Sequence, residues 1–382
     1  MLSILKIPFD LKKFLTRIRP VQYSVHRWMH PPQTNKIKYK AYLLTSQNIY
    51  ENLAFENWLY SNENFGDVNL MLLWRSKPCV VIGRHQNPWV ECDVYQANKR
   101  KIDIARRYSG GGTVFHDLGN LNCSFFTSRS DYDRTQNSQL IVDALKKNWD
   151  LDVGVASVRD DIFLESFYKI SGSSSKLGPS VAYHHCTLLF DVDKDLLSSI
   201  LHTNLLGLKS NATESVRSRV KNLSEVNQGL TYESLTRAIG EVYLGQGAHN
   251  DTVLEVVDPT SETLFPGIGK MSDELKTWSM IYERTPKFSV GRTFSQKMSN
   301  QSQTLKLHLE VEKGLVKSVE LHMDRTEAVK LWFAELESQL VGSVFLWDAI
   351  EHKLRNSLSA EGVDQDYVSW VIECIQRLFT LR

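Results

Sequence analysis

The run Arg106-Arg107-Tyr108-Ser109-Gly110-Gly111-Gly112-Thr113-Val114-Phe115-His116-Asp117 sets three consecutive glycines between two arginines and a His-Asp pair. Glycine loses more conformational freedom on folding than any other residue, so three together mark either a loose tip or a backbone shaped around something that comes very close. Without Cβ atoms, such a run can line up main-chain N–H groups against an anionic or carbonyl-bearing ligand. Arg107, a planar permanent cation, and Ser109, a rotatable hydroxyl, would then flank that ligand. The glycines are contiguous instead of spaced G-x-G-x-x-G, and "SGSSSK" (171–176) matches G-x-x-x-x-G-K-[ST] only superficially, so neither familiar phosphate loop applies.

A chain of 382 residues exceeds the size at which a single core stops growing, which predicts two domains and a short leading segment. Pro and Gly cluster in "VVDPTSETLFPGIGK" (256–270), placing the divisions at 1–35, 36–258 and 259–382. No apolar run approaches the roughly 20 residues that span a bilayer, so no membrane crossing is expected. Five cysteines without a C-x-x-C spacing suggest neither a disulfide framework nor a zinc ribbon, and point to a reducing compartment.

Charge is unevenly divided. Residues 1–40 hold nine Lys or Arg against one acid, Asp10, leaving 36 basic and 43 acidic residues in the remainder. Leu2, Leu5, Phe9 and Ile18 lie among those cations with Ser3, Thr16 and Ser24, the composition of an amphipathic mitochondrial presequence. A basic arm for nucleic acid is the alternative reading; the acidic body without a basic stripe argues against it.

Downstream, apolar β-rich runs at 68–74, 78–83, 121–126 and 182–190 predict strands, and a pair follows at 304–311 and 315–323. Residues 49–62 and 138–149 carry helical patterns, the second capped by Asn137 or Ser138. Strands that follow one another directly, mixed with helices, predict an α+β fold of mixed β-sheets packed with helices.

A second cluster, "YKISGSSSK", brings Lys169 from a strand into a Ser/Gly loop, with a solvated linker as the alternative. A lysine in a partly buried site stays charged only beside an anion, and a carbonyl gaining negative charge during acyl transfer is such a partner. His184 and His185 are adjacent on a strand and point to opposite faces, so one of them can face a pocket. Asp160 and Asp161, after Arg159, join the same pocket if the strands return, or form a charged turn if they do not. His116 with Asp117, and Cys123 or Cys186, are weaker candidates, each more often core than catalytic.

Read together, "ARRYSGGGTVFHDLGNLN" (105–122), "KISGSSSKLGPSVAYHHCTLLF" (169–190) and "SVRSRVKNL" (215–223) resemble the lipoate–protein ligase family in order and spacing, and "GRHQNPWVEC" (83–92) fits its upstream strand-turn. "KSNAT" (209–213), "ETLFPGI" (262–268) and "TPKFS" (285–289) are similar to the mitochondrial lipoyltransferases. The resemblance implies a large biotin/lipoyl-ligase-like catalytic domain plus a small C-terminal α/β domain, with lipoyl-AMP as the activated substrate. It assigns Arg107, Ser109, Gly111 and Gly112 to the lipoate-side loop, and Phe115 and Arg159 to ligand-facing positions. Lys169 falls to the acyl carbonyl and phosphate, Thr187 to the adjacent strand, His185 to the pocket, and Thr213 to a loop that closes over the adenylate. Asp161 matches the carboxylate of the family's Asn-Asp element, which reads Asp160-Asp161 here.

The reaction this implies is transfer of a lipoyl group, from lipoyl-AMP or a lipoylated carrier protein, to a lysine of the lipoyl domains of 2-oxoacid dehydrogenase E2 subunits. The glycine cleavage H protein is a further implied acceptor. The expected enzyme is a monomer of the mitochondrial matrix with no tightly bound cofactor and no metal, magnesium entering only if the chain also activates lipoate with ATP. Two rival readings stand beside it: an ATP-dependent lipoate–protein ligase, and a non-catalytic module that binds lipoyl domains.

Overall fold

The computed structural model describes residues 37–156, 159–202, 205–247, 253–298, 301–323, 326–356 and 362–380. The expected presequence, 1–35, lies outside the described residues. The described chain begins with β1 (Lys38–Leu44), α1 (Ile49–Asn62), β2 (Val68–Trp74) and β3 (Cys79–Ile82). Two short helices, α2 (Pro88–Glu91) and α3 (Val94–Lys99), lead to β4 (Asp103–Arg106), β5 (Val114–His116) and β6 (Asn120–Ser128). Next come α4 (Arg134–Trp149), β7 (Val153–Val155), β8 (Ile162–Leu164), β9 (Tyr168–Lys169), β10 (Ser173–Leu177) and β11 (Val181–Leu189). Then follow α5 (Lys194–Ile200), β12 (Leu208–Ser210), α6 (Tyr232–Leu244), β13 (Leu254–Val257) and α7 (Ile268–Leu275). The last elements are β14 (Phe288–Met298), β15 (Gln301–Glu312), β16 (Leu315–His322), α8 (Glu327–Leu340), α9 (Trp347–Asn356) and α10 (Gln365–Gln376).

These strands form a mixed six-stranded sheet in the order β10-β11-β6-β2-β1-β13, a four-stranded sheet β12-β14-β15-β16, and two small sheets, β4-β3-β5 and β7-β8-β9. The α+β expectation therefore holds. In the large sheet β1 runs parallel to β2 and β13, and the remaining pairs are antiparallel. At its centre β2 and β6 are buried on both faces, which is why "VNLMLLW" reads as a continuous apolar run and not as an alternation. Leu70, Leu72 and Phe126 join a core with Phe55 of α1, while Met71, Leu73 and Phe125 join a second core with Ile141 of α4 and Ile239 of α6.

Helix α1 keeps the limits its pattern predicts, and Asn48 accepts from the Tyr50 N–H at 2.9 Å as its N-cap. Helix α4 starts earlier than expected. Asp133 caps it by accepting from Gln136 N, and Ser138, taken from sequence as a cap, instead donates to the Asp160 carbonyl at 2.8 Å. The first turn of α4 is polar and mostly exposed, so hydrophobic periodicity does not register it.

The residues from 36 onward cluster as one compact unit. Contacts cross the boundary placed at 258/259, among them the antiparallel pairing of β12 with β14 and the reach of Arg106 to the 281–285 segment. Fully buried Arg106 donates through Nη2 to Ile281 O at 2.6 Å and Thr285 Oγ1 at 2.9 Å, and through Nη1 to Gln86 O at 2.8 Å. Burial pushes its pKa down to about 10, which leaves it a cation at neutral pH.

The small sheet β4-β3-β5 carries the glycine run between β4 and β5. Gly111 needs glycine for its backbone, at φ +81°, and a Cβ on Gly112 would meet Ser215 Oγ at 3.0 Å. Gly110 has open space around its Cβ position. A more demanding position lies outside the run: a Cβ on Gly83 would sit 2.2 Å from the Gly111 carbonyl oxygen. We predict that Gly83→Ala destabilises the protein by about 2 kcal/mol through this overlap, whereas Gly110→Ala stays within about 0.5 kcal/mol. Urea unfolding of the two variants checks the contrast.

Candidate active site

Two chambers open beside the glycine run. The first, about 390 Å³, is lined by Arg107, Gly111, Gly112, Arg159, Asp161, Lys169, His185, Thr187 and Thr213, nine of the residues singled out from sequence. Leu53, Trp74 and Val81 supply its apolar wall. The second, about 650 Å³, lies toward α5 and includes Phe115, Lys194, Leu197 and Arg217. Lys169, Gly172, Thr187 and residues 214–216 line both, so the chambers meet at Lys169.

Lys169 is placed by backbone pairing: it closes β9, and its N–H donates to Arg219 O at 2.9 Å. Its Nζ donates to Asp161 Oδ2 at 2.6 Å, and both side chains are largely buried, at 19% and 9% exposed. The small sheet β7-β8-β9 makes this meeting possible, because Asp161 precedes β8 and β9 returns antiparallel beside it. The neighbouring carboxylate turns away: Asp160 pairs with Arg134 Nε at 2.5 Å and accepts from Thr135 Oγ1 at 2.7 Å.

Arg107 lines the first chamber, but its fork is directed into the chain. Nη2 donates to Gly110 O and Gly112 O, both at 2.6 Å, and Nη1 to Val81 O at 3.0 Å. A buried guanidinium must be paired, and the glycine run supplies main-chain carbonyls with no side chains in the way. Burial pushes its pKa down to about 10. Arg107 is therefore the frame of the loop. Ser109, expected to face a ligand, lines neither chamber.

Ser109 Oγ instead lies 2.8 Å from His185 Nε2, and His185 Nδ1 lies 3.0 Å from Glu56 Oε1. Because Glu56 accepts, Nδ1 carries the hydrogen and Nε2 accepts from Ser109. Ser124 Oγ donates to Glu56 Oε1, and Trp74 Nε1 donates to Ser124 Oγ at 3.2 Å. Arg107 Nε donates to Ser109 Oγ at 3.0 Å, closing a chain from the indole to the glycine loop. This Ser-His-Glu order resembles a nucleophile triad, but Ser109 is 1% exposed, so the network positions the loop and attacks nothing.

Sequence reasoning missed Glu56, Gln86, Glu91 and Ser215. Glu91 Oε1 accepts from Ser215 N at 3.1 Å, and Glu91 Oε2 from the Ser215 hydroxyl. Ser215 Oγ accepts from Thr113 N at 2.8 Å, and Gln86 Oε1 from Thr113 Oγ1 at 2.7 Å. Together they fasten the 213–216 segment across both chambers. Gln86 and Glu91 lie inside "GRHQNPWVEC", whose local pattern carries no sign that they are buried.

His116 and His184 are buried, and desolvation pushes each pKa down to about 3, so both stay neutral. The positive charge of Arg107 near His116 and of Arg134 near His184 acts in the same direction.

Against known proteins, residues 48–243 match the lipoyl protein ligase A/B catalytic domain. The mitochondrial lipoyl amidotransferase of Homo sapiens is 42% identical over 307 residues, which are 78% of this chain and 80% of that protein. Lipoate-protein ligase A of Psychrobacter cryohalolentis is 36% identical over 72% of this chain and 80% of its own length. The chain belongs to the lipoyl protein ligase A/B family. Among solved structures, LipL1 of P. falciparum in complex with lipoate superposes with a TM-score of 0.56 at 26% identity, covering 89% of this chain and 99% of that one. A lipoate-protein ligase A bound with ATP gives 0.51 at 26% identity, over 63% of this chain and 94% of that one.

Two predictions follow from the site's charges and ties. The native state of this family member excludes protons from His116 and His184, whereas the unfolded chain binds them below about pH 6.5. Stability is therefore full above pH 6.5 and falls toward pH 3 by roughly 1.4 kcal/mol per pH unit for each histidine. His184→Phe should flatten that slope by one proton in urea titrations at successive pH values. Glu91→Ala should free the 213–216 segment, raising its cleavage rate in limited proteolysis about tenfold for roughly 1.4 kcal/mol of lost tethering.

Proposed function

We propose that the chain catalyses transfer of a lipoyl group from lipoyl-AMP to a lysine amine of a lipoyl carrier domain. Membership of the family makes it a lipoyl-transferring enzyme. The observation that carries the finer reading is the position of Lys169 where two chambers meet, an arrangement suited to a ligand with an acyl arm on one side and a nucleotide on the other. The acyl arm lies in the first chamber against Leu53, Trp74 and Val81; the nucleotide occupies the second, with Lys194 and Arg217 near its phosphate.

A mixed anhydride already holds its leaving group, so the protein needs to supply position and charge and no nucleophile of its own. The acceptor amine attacks the acyl carbon, the C–N bond forms, the bond to the phosphate oxygen breaks, and AMP departs with the electron pair. Nζ of Lys169 donates to the oxygen that gains charge, while Asp161 holds the ammonium in place. The acceptor, an ammonium with an ordinary pKa near 10.4, first gives one proton to solvent, and the amine proton released as the C–N bond forms passes to the departing phosphate of AMP and on to solvent.

Lipoyl domains of 2-oxoacid dehydrogenase E2 subunits are the proposed acceptors, with the glycine cleavage H protein as a further one. We place the enzyme in the mitochondrial matrix, directed there by the 1–35 segment, and read it as a monomer with no tightly bound cofactor. Magnesium enters the reading only with ATP activation. The human and mouse relatives named mitochondrial, and the basic leading segment, support this location.

Lys169→Ala should lower the rate of amide formation from supplied lipoyl-AMP by about 10³-fold. Lys169→Arg should restore little of it, since a planar fork does not replace a point charge. A near-normal rate in the alanine variant would contradict the mechanism. Release of pyrophosphate from ATP and free lipoate by this chain alone would extend the reading to a full ligase.

A further inference from the structure

The surface beside Lys169 carries two side chains that neither chamber uses. Strands β8 and β9 are joined by a tight turn in which Phe167 N donates to Leu164 O at 3.2 Å, with Glu165 and Ser166 both in the left-handed region at φ 52° and 54°. That conformation is unfavourable for residues with a Cβ, so the surroundings must hold it. Glu165 N donates to Asp152 O at 2.8 Å, and the Glu165 carboxylate pairs with Lys221 Nζ at 2.9 Å. What the turn presents is Phe167, 51% exposed and part of neither chamber wall. Phe167 precedes Lys169 by two residues, and two residues of chain span at most about 7 Å, which puts it on the rim of the place where the chambers meet.

Arg219 completes the rim. Its carbonyl accepts from Lys169 N, and its guanidinium carbon lies over the Phe167 ring, 5.2 Å from the centroid. Like Phe167 it is exposed and lines neither chamber. The carboxylates close by are already taken: Asp161 by Lys169, Asp160 by Arg134 and Glu165 by Lys221. Among the described residues, Arg219 has no ion-pair partner, and neither have Arg159 and Arg217 at the chamber walls. Residues 41–382 hold 36 basic against 43 acidic side chains, so a rim with spare positive charge is a local exception to an acidic body.

We propose that Phe167 and Arg219 form the docking surface for the macromolecule that brings the acceptor amine, and that this partner is a folded domain with carboxylates beside its lysine. This rests on the acyl-transfer reading given above. A lysine side chain reaches roughly 6 Å from Cα to Nζ, so an amine delivered to Lys169 brings the backbone around it down to the rim. An exposed aromatic ring with an arginine over it joins two of the residue types that anchor protein interfaces. A guanidinium without a carboxylate of its own selects an acidic partner and repels a basic one.

The test uses the full chain, an isolated lipoyl domain as acceptor, and a non-hydrolysable lipoyl-adenylate analogue as the probe of the chambers. Phe167→Ala and Arg219→Glu, both at exposed positions where substitution leaves the fold intact, should each raise KM and the calorimetric Kd for the lipoyl domain by about 10-fold. In both variants kcat and the affinity for the analogue should stay within about twofold of the unaltered protein. A lipoyl domain whose carboxylate nearest the acceptor lysine is changed to lysine should lose affinity for the unaltered protein and regain it with Arg219→Glu. Unchanged KM and Kd in both variants, an equal loss of analogue affinity, or a charge-reversed domain that still favours the unaltered protein would overturn the proposal. Binding of the lipoyl domain that the two variants weaken, without amide formation from lipoyl-AMP by the unaltered protein, would support the docking surface and remove the acyl-transfer reading alone.

Discussion

The buried guanidinium of Arg107 is the constraint from which the site follows. By holding the carbonyls of Gly110 and Gly112 it fixes the glycine run as a wall. Through Ser109 it joins that wall to His185, Glu56, Ser124 and Trp74. Arg107, Ser109, Glu56, Ser124 and Trp74 are buried and His185 is nearly so, so each link carries the desolvation penalty of its neighbours if broken. Rigidity of this kind suits a reaction whose acceleration comes from positioning a reactive carbonyl.

The division of labour between cations is equally clear. Arg106 and Arg107 are consecutive, both buried and both committed to main-chain carbonyls, one tying the 281–285 segment to the turn at 83–86, the other shaping the loop. Lys169 has a different role, because its partner Asp161 is a side chain at the edge of an open volume. Where arginine's fixed fork serves structure, lysine's flexible point charge suits the role proposed for Lys169, at a substrate whose charge changes during reaction.

Much of this was legible in the sequence because it was local. The strand at 68–74 and the helix at 49–62 stand out because burial on both faces or a sustained apolar pattern makes them continuous hydrophobic signals. His184 and His185 were separable by the strand's alternation alone, and His185 is the one that faces the chamber. Tertiary pairing was not legible. Nothing near Leu208–Ser210 announces β14 as its partner, and nothing near Glu56 or Glu91 marks those carboxylates as buried, since their partners lie 68 or more residues away. Ser109 was misread for the same reason: a hydroxyl beside a glycine run suggests a ligand contact, but a histidine 76 residues on takes it.

The central claim is that one activated acyl compound spans both chambers with its reactive centre at Lys169. A crystal structure with a non-hydrolysable lipoyl-adenylate analogue addresses it most directly. The account predicts the group replacing the acyl phosphate within hydrogen-bond distance of Lys169 Nζ, the acyl arm against Trp74 and the nucleotide beside Arg217. An analogue seated elsewhere, or spanning these chambers with Lys169 turned away from it, would contradict the account.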